Sequence, residues 1–534
     1  MSRFDYIVVG AGSAGCVLAN KLTADPRIRL LLLEEGPDEA GLLVRMPKGN
    51  GRTLRSPKYT AFHPTTHQLS ASPHVWVRGR VVGGSSAVNG MVWVRGQPED
   101  YDRIAALGNP GWAWADMAPY FKKLEDHSLG ESELRGSGGP VVVTTHPSSR
   151  LGDAFIEAGV ALGLRRKADQ NTLDQEGIGY LQMNIDQRGR RCSAARAFLD
   201  PIRGRANLKI VAGVRIDRIL FENRRAIGLA GVTGGQRVEF RTEGEIILSA
   251  GTLGTPRLLQ LSGVGPAEHV SSCGIPVVLH APGVGRNLRE HFLLTLDYRL
   301  KQASHSQNSC FSGIGLAMSL LQYLLLSQGP LSNASYTAGA FVRSDPGSRR
   351  PDGQLMFAPW TRDWDTKRFG DYPGMNVFSY KLRPESEGSV LIESADPTQA
   401  LRISPNYFSS QSDRDRSVAL VRYLRRLMAT PPISDLVVGE TEETRWASTD
   451  DEILDVYMRR GLSGLHNCGT AAMGQGRHAV LDERLRVRGL ERLRVMDLSI
   501  LPEMLSGNTN APAMALAWRA SDLFLEDRAH SSPS

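Results

Sequence analysis

Two short clusters near the end of the chain hold side chains suited to proton chemistry. His466-Asn467-Cys468-Gly469-Thr470 offers an imidazole beside tight-turn residues. Gly507-Asn508-Thr509-Asn510-Ala-Pro512 offers two amides ahead of a helical run, Ala513-Met-Ala-Leu-Ala-Trp518. Histidine has an ordinary pKa of about 6.5, so it can take a proton near neutrality. An amide donates a hydrogen bond without carrying charge. Such groups can draw the proton from a hydroxyl and hold the oxygen left behind. A redox step would still need an electron acceptor, which neither cluster contains.

The other end of the chain shows where an acceptor could sit. Residues 5–9, Asp-Tyr-Ile-Val-Val, predict a buried strand. Gly10-Ala-Gly12-Ser13-Ala14-Gly15 follows, then a helix from Cys16. A second buried strand, Ile28 to Leu33, ends in Glu34. Strand, glycine turn, helix, strand and acid form a βαβ unit that holds an ADP group. Gly10 permits the turn, Gly12 lets the backbone approach a pyrophosphate, and Gly15 lets the helix pack closely. The helix N-terminus stabilises the phosphate charge, and Glu34 suits an unphosphorylated ribose. This unit alone fits FAD, NAD or a non-catalytic dinucleotide-binding protein.

Further elements must place the two ends together. Gly79-Arg-Val-Val82-Gly83-Gly84-Ser85-Ser86-Ala-Val-Asn89-Gly90-Met91 is flanked by apolar residues, which predicts a backbone cradle around a ligand rather than a linker. Asn207 to Val214, Glu245 to Pro256 and Leu493 to Asp497 read as strands and turns of the same α/β lobe. Residues 298–454 have a different texture and predict a second, mainly sheet, lobe. The longest apolar run, Ile314 to Leu326, is too short to span a bilayer. It predicts a core helix, with a lid touching a membrane surface as the alternative. The small polar residues after Asp527 predict a disordered tail.

Bulk properties exclude other classes. The chain has 534 residues, which favours two lobes, and a net charge of +7. Its basic residues are interspersed with acids and form no aromatic-laced block, which argues against nucleic-acid binding. Five scattered cysteines give no disulfide framework and no metal site. A reducing, cytoplasmic setting follows, since the N-terminus runs straight into a strand without a signal peptide.

Taken together, the motifs resemble the glucose–methanol–choline (GMC) family of FAD oxidoreductases. The resemblance rests on the N-terminal fingerprint, Gly83-Gly84-Ser85-Ser86 with Asn89-Gly90, and Ser249-Ala-Gly251-Thr-Leu-Gly254-Thr-Pro256. It rests also on Gly283-Val-Gly285-Arg-Asn287-Leu, His466-x-x-Gly469-Thr470 and Gly507-Asn-Thr-Asn510-Ala-Pro512. It runs from Asp5 to about Leu523 and leans toward the bacterial choline and alcohol dehydrogenase branch.

This resemblance implies an α/β FAD lobe with a Rossmann-like unit and an α+β substrate lobe on an antiparallel sheet. The FAD lobe would take 1–297, the substrate lobe 298–454, and 455–526 would return to the FAD lobe ahead of the tail at 527–534. Gly10, Gly12, Ser13, Ala14, Gly15 and Glu34 would hold the ADP half, with the Val214 backbone at adenine. Val82, Gly83, Gly84, Ser85, Asn89, Gly90 and Met91 would run along the flavin and its ribityl chain. Asp497 and the Asn508 turn would close over the cofactor. Val88 stands where some relatives carry a histidine bonded to FAD, so binding should be non-covalent. His466 would be the base, Asn510 would position the alkoxide, and hydride would pass to flavin N5.

The implied reaction converts a primary alcohol to an aldehyde. Thr337 replaces an acid in a stretch, Ser332 to Gly339, that otherwise resembles choline dehydrogenases, which favours an uncharged alcohol. Trp360 and Phe357 are candidate pocket residues, with core packing preferred. The acceptor would be oxygen or a quinone, with a dehydrogenase favoured. A quinone would bring the protein to the inner membrane face, through the 314–326 helix. Lyases and a decarboxylase share the fold and remain alternatives.

Overall fold

A computed structural model describes residues 4–38, 41–69, 72–362, 369–476 and 478–531. Its first core forms where the sequence is most uniformly apolar. Tyr6–Val9 and Leu30–Leu33 are wholly buried strands. They lie in a parallel five-stranded sheet, joined by Leu208–Val211, Glu245–Leu248 and Leu493–Val495. A parallel sheet is covered on both faces, so its strands read as continuous apolar runs. The helix Ser13–Leu22 packs along this sheet and against the last helix, Asn510–Ser531. Three distant segments thus meet in one lobe.

The second sheet is built differently. Its strands include Phe292–Leu300, Gly374–Lys381, Gly353–Ala358 and Ala338–Val342, paired antiparallel. Gly177–Tyr180 adds to its edge, and the helix Arg150–Ala161 covers it. The boundary expected at 297/298 is therefore not an edge of this sheet. One strand begins at Phe292 and another comes from the N-terminal third.

Two other expectations are corrected. The helix Gly313–Leu326 is not a core helix: Ile314 is 82% exposed and Leu325 71%. The tail is not disordered from Asp527, because the last helix continues to Ser531. Asp527 forms ion pairs with Arg484, Arg486 and Arg494. Residues 532–534 lie outside the described part.

Candidate active site

The fingerprint turn and the second glycine stretch form one wall. Gly84 has φ +53, and a Cβ there would fall 2.7 Å from the Cα of Gly12. Only two glycines can meet this closely. Gly83 N–H donates to the Ala11 carbonyl at 2.7 Å, and Val82 N–H to the Pro37 carbonyl at 3.0 Å. A cavity follows this wall from Glu34 and Val214, past Ser13, Ala14, Gly251 and Asp497, to Arg78, Gly84 and Ser85. The N-terminus of Ser13–Leu22 borders it.

Several expected cofactor residues have structural partners that set this wall. Glu34 accepts the N–H groups of Ala11 and Gly36, both at 2.9 Å, and burial raises its pKa to about 7. Its remaining lone pairs are available to a ribose hydroxyl. The Val214 N–H donates to the Glu34 carbonyl at 2.9 Å. Asp497 accepts Gly251 N–H at 2.9 Å and the Thr255 hydroxyl at 2.6 Å, fixing the start of the helix Gly251–Leu261. Asn89, Gly90 and Met91 do not line this cavity. The Asn89 amide oxygen accepts the Arg191 guanidinium at 2.8 Å and Met91 N–H at 3.1 Å. Arg191 also binds the carbonyls of Val44, Ser86 and Asn89, stapling this turn to its neighbours. No spacing in the sequence announced Arg191.

The wall fits FAD. Gly251, on the cavity, has open space where a Cβ would stand. Asn508 Oδ1 and Asn510 Nδ2 are buried without a protein partner, as expected of atoms meant for a bound group. Val88 is buried against Val44, Tyr59 and Val81. A hydrocarbon side chain there forms no bond to the cofactor, so FAD is held non-covalently.

At one end of the cradle stands a chain of hydrogen bonds through two imidazoles. His291 Nε2 lies 2.7 Å from the Leu382 carbonyl, and His291 Nδ1 lies 2.9 Å from His466 Nδ1. A carbonyl only accepts, so His291 Nε2 carries the proton. Burial lowers the His291 pKa to about 4, so its Nδ1 is bare and accepts the Nδ1–H of His466. His466 Nε2 is then bare in turn. It accepts the Asn508 amide N–H at 3.0 Å. His466 as a residue is half-buried. Desolvation by the surrounding protein still pushes its pKa well below the ordinary value, with His291 and Arg78 adding to the effect.

Glu290 holds both histidines in place. Its buried carboxyl accepts the backbone N–H of His291 at 2.8 Å and of His466 at 2.9 Å. It also accepts Ser463 Oγ at 2.8 Å and Asn467 Nδ2 at 3.1 Å. Burial raises its pKa to about 7. Neither Glu290 nor His291 stood out in the sequence. Their adjacency, Glu290-His291 directly after Asn287-Leu-Arg, was the only signal.

The two asparagines have other partners than expected. Asn508, expected at the cofactor, donates to His466. Asn510, expected at the alkoxide, accepts Ser13 Oγ at 2.8 Å and opens the last helix. Asn510 begins regular helix, so its side chain points back to the fingerprint turn. Asn508, two residues earlier, remains in the loop that faces His466.

Beside the histidines lies an apolar cluster. It contains Val92, Val94, Leu181, Leu293, Phe341, Met356, Phe378, Tyr380 and Leu382. Tyr380 packs on His291 with ring centres 4.6 Å apart and on His466 at 6.0 Å. Phe357 is fully buried, stacked on Phe155, and belongs to the core. Trp360 donates to the Ser335 carbonyl at 3.0 Å and contacts Tyr336. Thr337 is buried, and its N–H donates to the Phe357 carbonyl.

A dinucleotide cradle whose Arg78 donates to the Leu465 carbonyl, next to the bare imidazole nitrogen of His466, suits a cofactor-dependent oxidoreductase. Comparison with known proteins specifies which kind. The GMC oxidoreductase models match residues 4–293 and 384–517, and the chain belongs to that FAD-dependent family. Human mitochondrial choline dehydrogenase is 38% identical over 98% of this chain and 89% of its own. An alcohol dehydrogenase [acceptor] of Pseudomonas putida is 36% identical over 98% of this chain and 96% of its own. The crystal structure of pyridoxine 4-oxidase from Mesorbium loti superposes with a TM-score of 0.89. It is 28% identical and covers 98% of this chain and 99% of that one.

Proposed function

We propose that this enzyme oxidises an uncharged primary alcohol to an aldehyde, with His466 as the base. The observation that carries this reading is the bare Nε2 of His466, fixed through His291 by a carbonyl that cannot donate. An alcohol oxygen between His466 Nε2 and Asn508 Nδ2 would give its proton to the first and accept from the second. The Asn508 amide occupies that lone pair until substrate takes it. As the hydroxyl proton leaves, the Asn508 N–H stabilises the charge growing on oxygen. Bound FAD supplies the hydride acceptor, at N5 of its ring. Glu290 keeps both imidazoles aligned throughout.

The choice of an uncharged alcohol rests on the apolar cluster, whose nine members include no acid. A quaternary ammonium calls for a carboxylate or an aromatic cage. Three of the nine are rings, Phe341, Phe378 and Tyr380, which suit a cation's methyl groups as well as an uncharged alcohol, so the lack of a free carboxylate is what favours the uncharged alcohol. Glu290, the carboxyl beside the histidines, already accepts four hydrogen bonds. The named activities of the choline and alcohol dehydrogenase relatives support a CH–OH donor and a dehydrogenase.

Anaerobic mixing of the FAD-loaded enzyme with a panel of primary alcohols tests this reading. Aliphatic or aromatic alcohols should bleach the visible flavin band faster than choline does. The rate should hold as pH falls through about 6.5 and drop only at lower pH, because the base titrates below an ordinary histidine. Faster bleaching by choline than by any uncharged alcohol overturns the substrate class.

A further inference from the structure

The helix Gly313–Leu326 has its polarity reversed. A surface helix ordinarily turns its apolar stripe inward and its polar residues to water. Here the inward side carries Ser319 and Tyr323, both buried. Tyr323 packs with Met46 and Leu331, and Leu320 and Phe311 lie against them. The outward stripe is Ile314, Met318, Leu321 and Leu325, exposed by 59–82%. These positions follow the i, i+4, i+7, i+11 spacing of a single helix face. Leu324 and Leu326 are also exposed, and no charged residue occurs in the helix.

The ground around this helix is basic. From Tyr298 to Ser344 the chain has no Asp or Glu, and the same holds from Ala40 to Pro98. The second stretch supplies the turn Pro47–Gly49, which packs on Pro330–Ser332 just beyond the helix. Lys48 sits 5.1 Å from the Phe311 ring centre at the helix foot, but burial lowers its pKa to about 7, so the positive charge of this ground comes from its arginines. Arg45, Arg52 and Arg188 are exposed. Arg188 belongs to the turn whose Gly189 abuts the Ser327 carbonyl at the other end of the helix. The one acid on that turn, Asp186, is paired with Arg190 and Arg196.

We propose that the outward face of Gly313–Leu326 docks on the anionic leaflet of a lipid bilayer. An apolar helix face rimmed by cations is the chemistry of an interfacial membrane contact. Charge complementarity selects this occupant, since a zwitterionic or purely apolar surface would leave the exposed Arg45, Arg52 and Arg188 unused. The helix has 14 residues, about 21 Å of length, so it lies on the surface. Among the described residues no helix is long and apolar enough to cross a membrane.

The docked face also connects with the reaction site. A row of rings leads inward from the helix foot: Phe311 to Phe369 at 4.7 Å, Phe369 to Trp360 at 5.8 Å, and Trp360 to Tyr336 at 6.3 Å. It continues from Tyr336 to Phe378 at 4.8 Å, to Tyr380 at 6.2 Å, and to His466 at 6.0 Å. Docking therefore sets the apolar side of the site toward lipid. The inference does not depend on which alcohol is oxidised.

Flotation of the FAD-loaded enzyme with vesicles tests it. Vesicles of phosphatidylcholine with about one third phosphatidylglycerol should carry the protein, and pure phosphatidylcholine should carry much less. The triple variant Met318→Glu, Leu321→Glu, Leu325→Glu should lose at least about tenfold in vesicle partitioning. Its flavin spectrum and its turnover of a short water-soluble alcohol with a soluble dye should be unchanged. Equal binding by wild type and variant, or no binding to either vesicle, overturns the proposal. Sedimentation showing that wild type self-associates and the triple variant does not, without lipid binding, would assign the face to a second copy and also overturn it.

Discussion

The cofactor wall and the proton-handling site are built from opposite materials. The wall is mainly backbone: glycines at 12 and 84 meet, and a helix N-terminus borders the cavity. The proton site is almost wholly side chains, with His466, His291, Asn508 and Glu290 each fixed by another. Backbone sites depend on space, so added atoms should abolish binding. Side-chain sites depend on hydrogen-bond order, so deleted atoms should slow a step while FAD remains.

The largest effect should come from filling the wall. Gly84→Val places a side chain against Gly12 and should leave purified protein without FAD and without activity, read from its visible spectrum. Retention of normal FAD content would break the comparison. A smaller effect should follow at Asn508. Asn508→Ala removes a donor from the developing alkoxide and should slow flavin reduction by about 100-fold, the low end for such donors. FAD content should stay normal. The smallest effect should come from Asn510→Ala, which loses the Ser13 hydrogen bond. That loss costs about 1 kcal/mol and should weaken FAD binding more than it slows reduction, as titration and rapid mixing would show. A reversal between the two asparagines would restore the assignment of Asn510 to the alkoxide.

The same contrast explains what the sequence disclosed. Glycine spacing writes a backbone cradle directly into the chain, so the fingerprint strands, the helix after the glycine turn and the Gly83-Gly84 cradle were legible, while the helix start at Ser13 instead of Cys16 and the Gly84–Gly12 contact were not. The family resemblance extended this to the fold and to FAD. The proton site was half legible. His466 stood in a recognisable motif, but its partners are set by tertiary contacts with His291 and Glu290, distant in sequence. The partners of Asn508 and Asn510 turned on where a helix begins, the least certain feature of any sequence reading. The 314–326 helix misled for another reason. An apolar run says that a helix seeks an apolar partner, without saying that the partner lies in the same chain.

The central claim is that His466 Nε2 receives the hydroxyl proton. Rapid anaerobic mixing of wild type and His466→Ala with a saturating primary alcohol tests it most directly. The variant should keep its bound FAD spectrum and be reduced at least about 100-fold more slowly, the low end for general base catalysis. Reduction of the variant at close to the wild-type rate would contradict the claim.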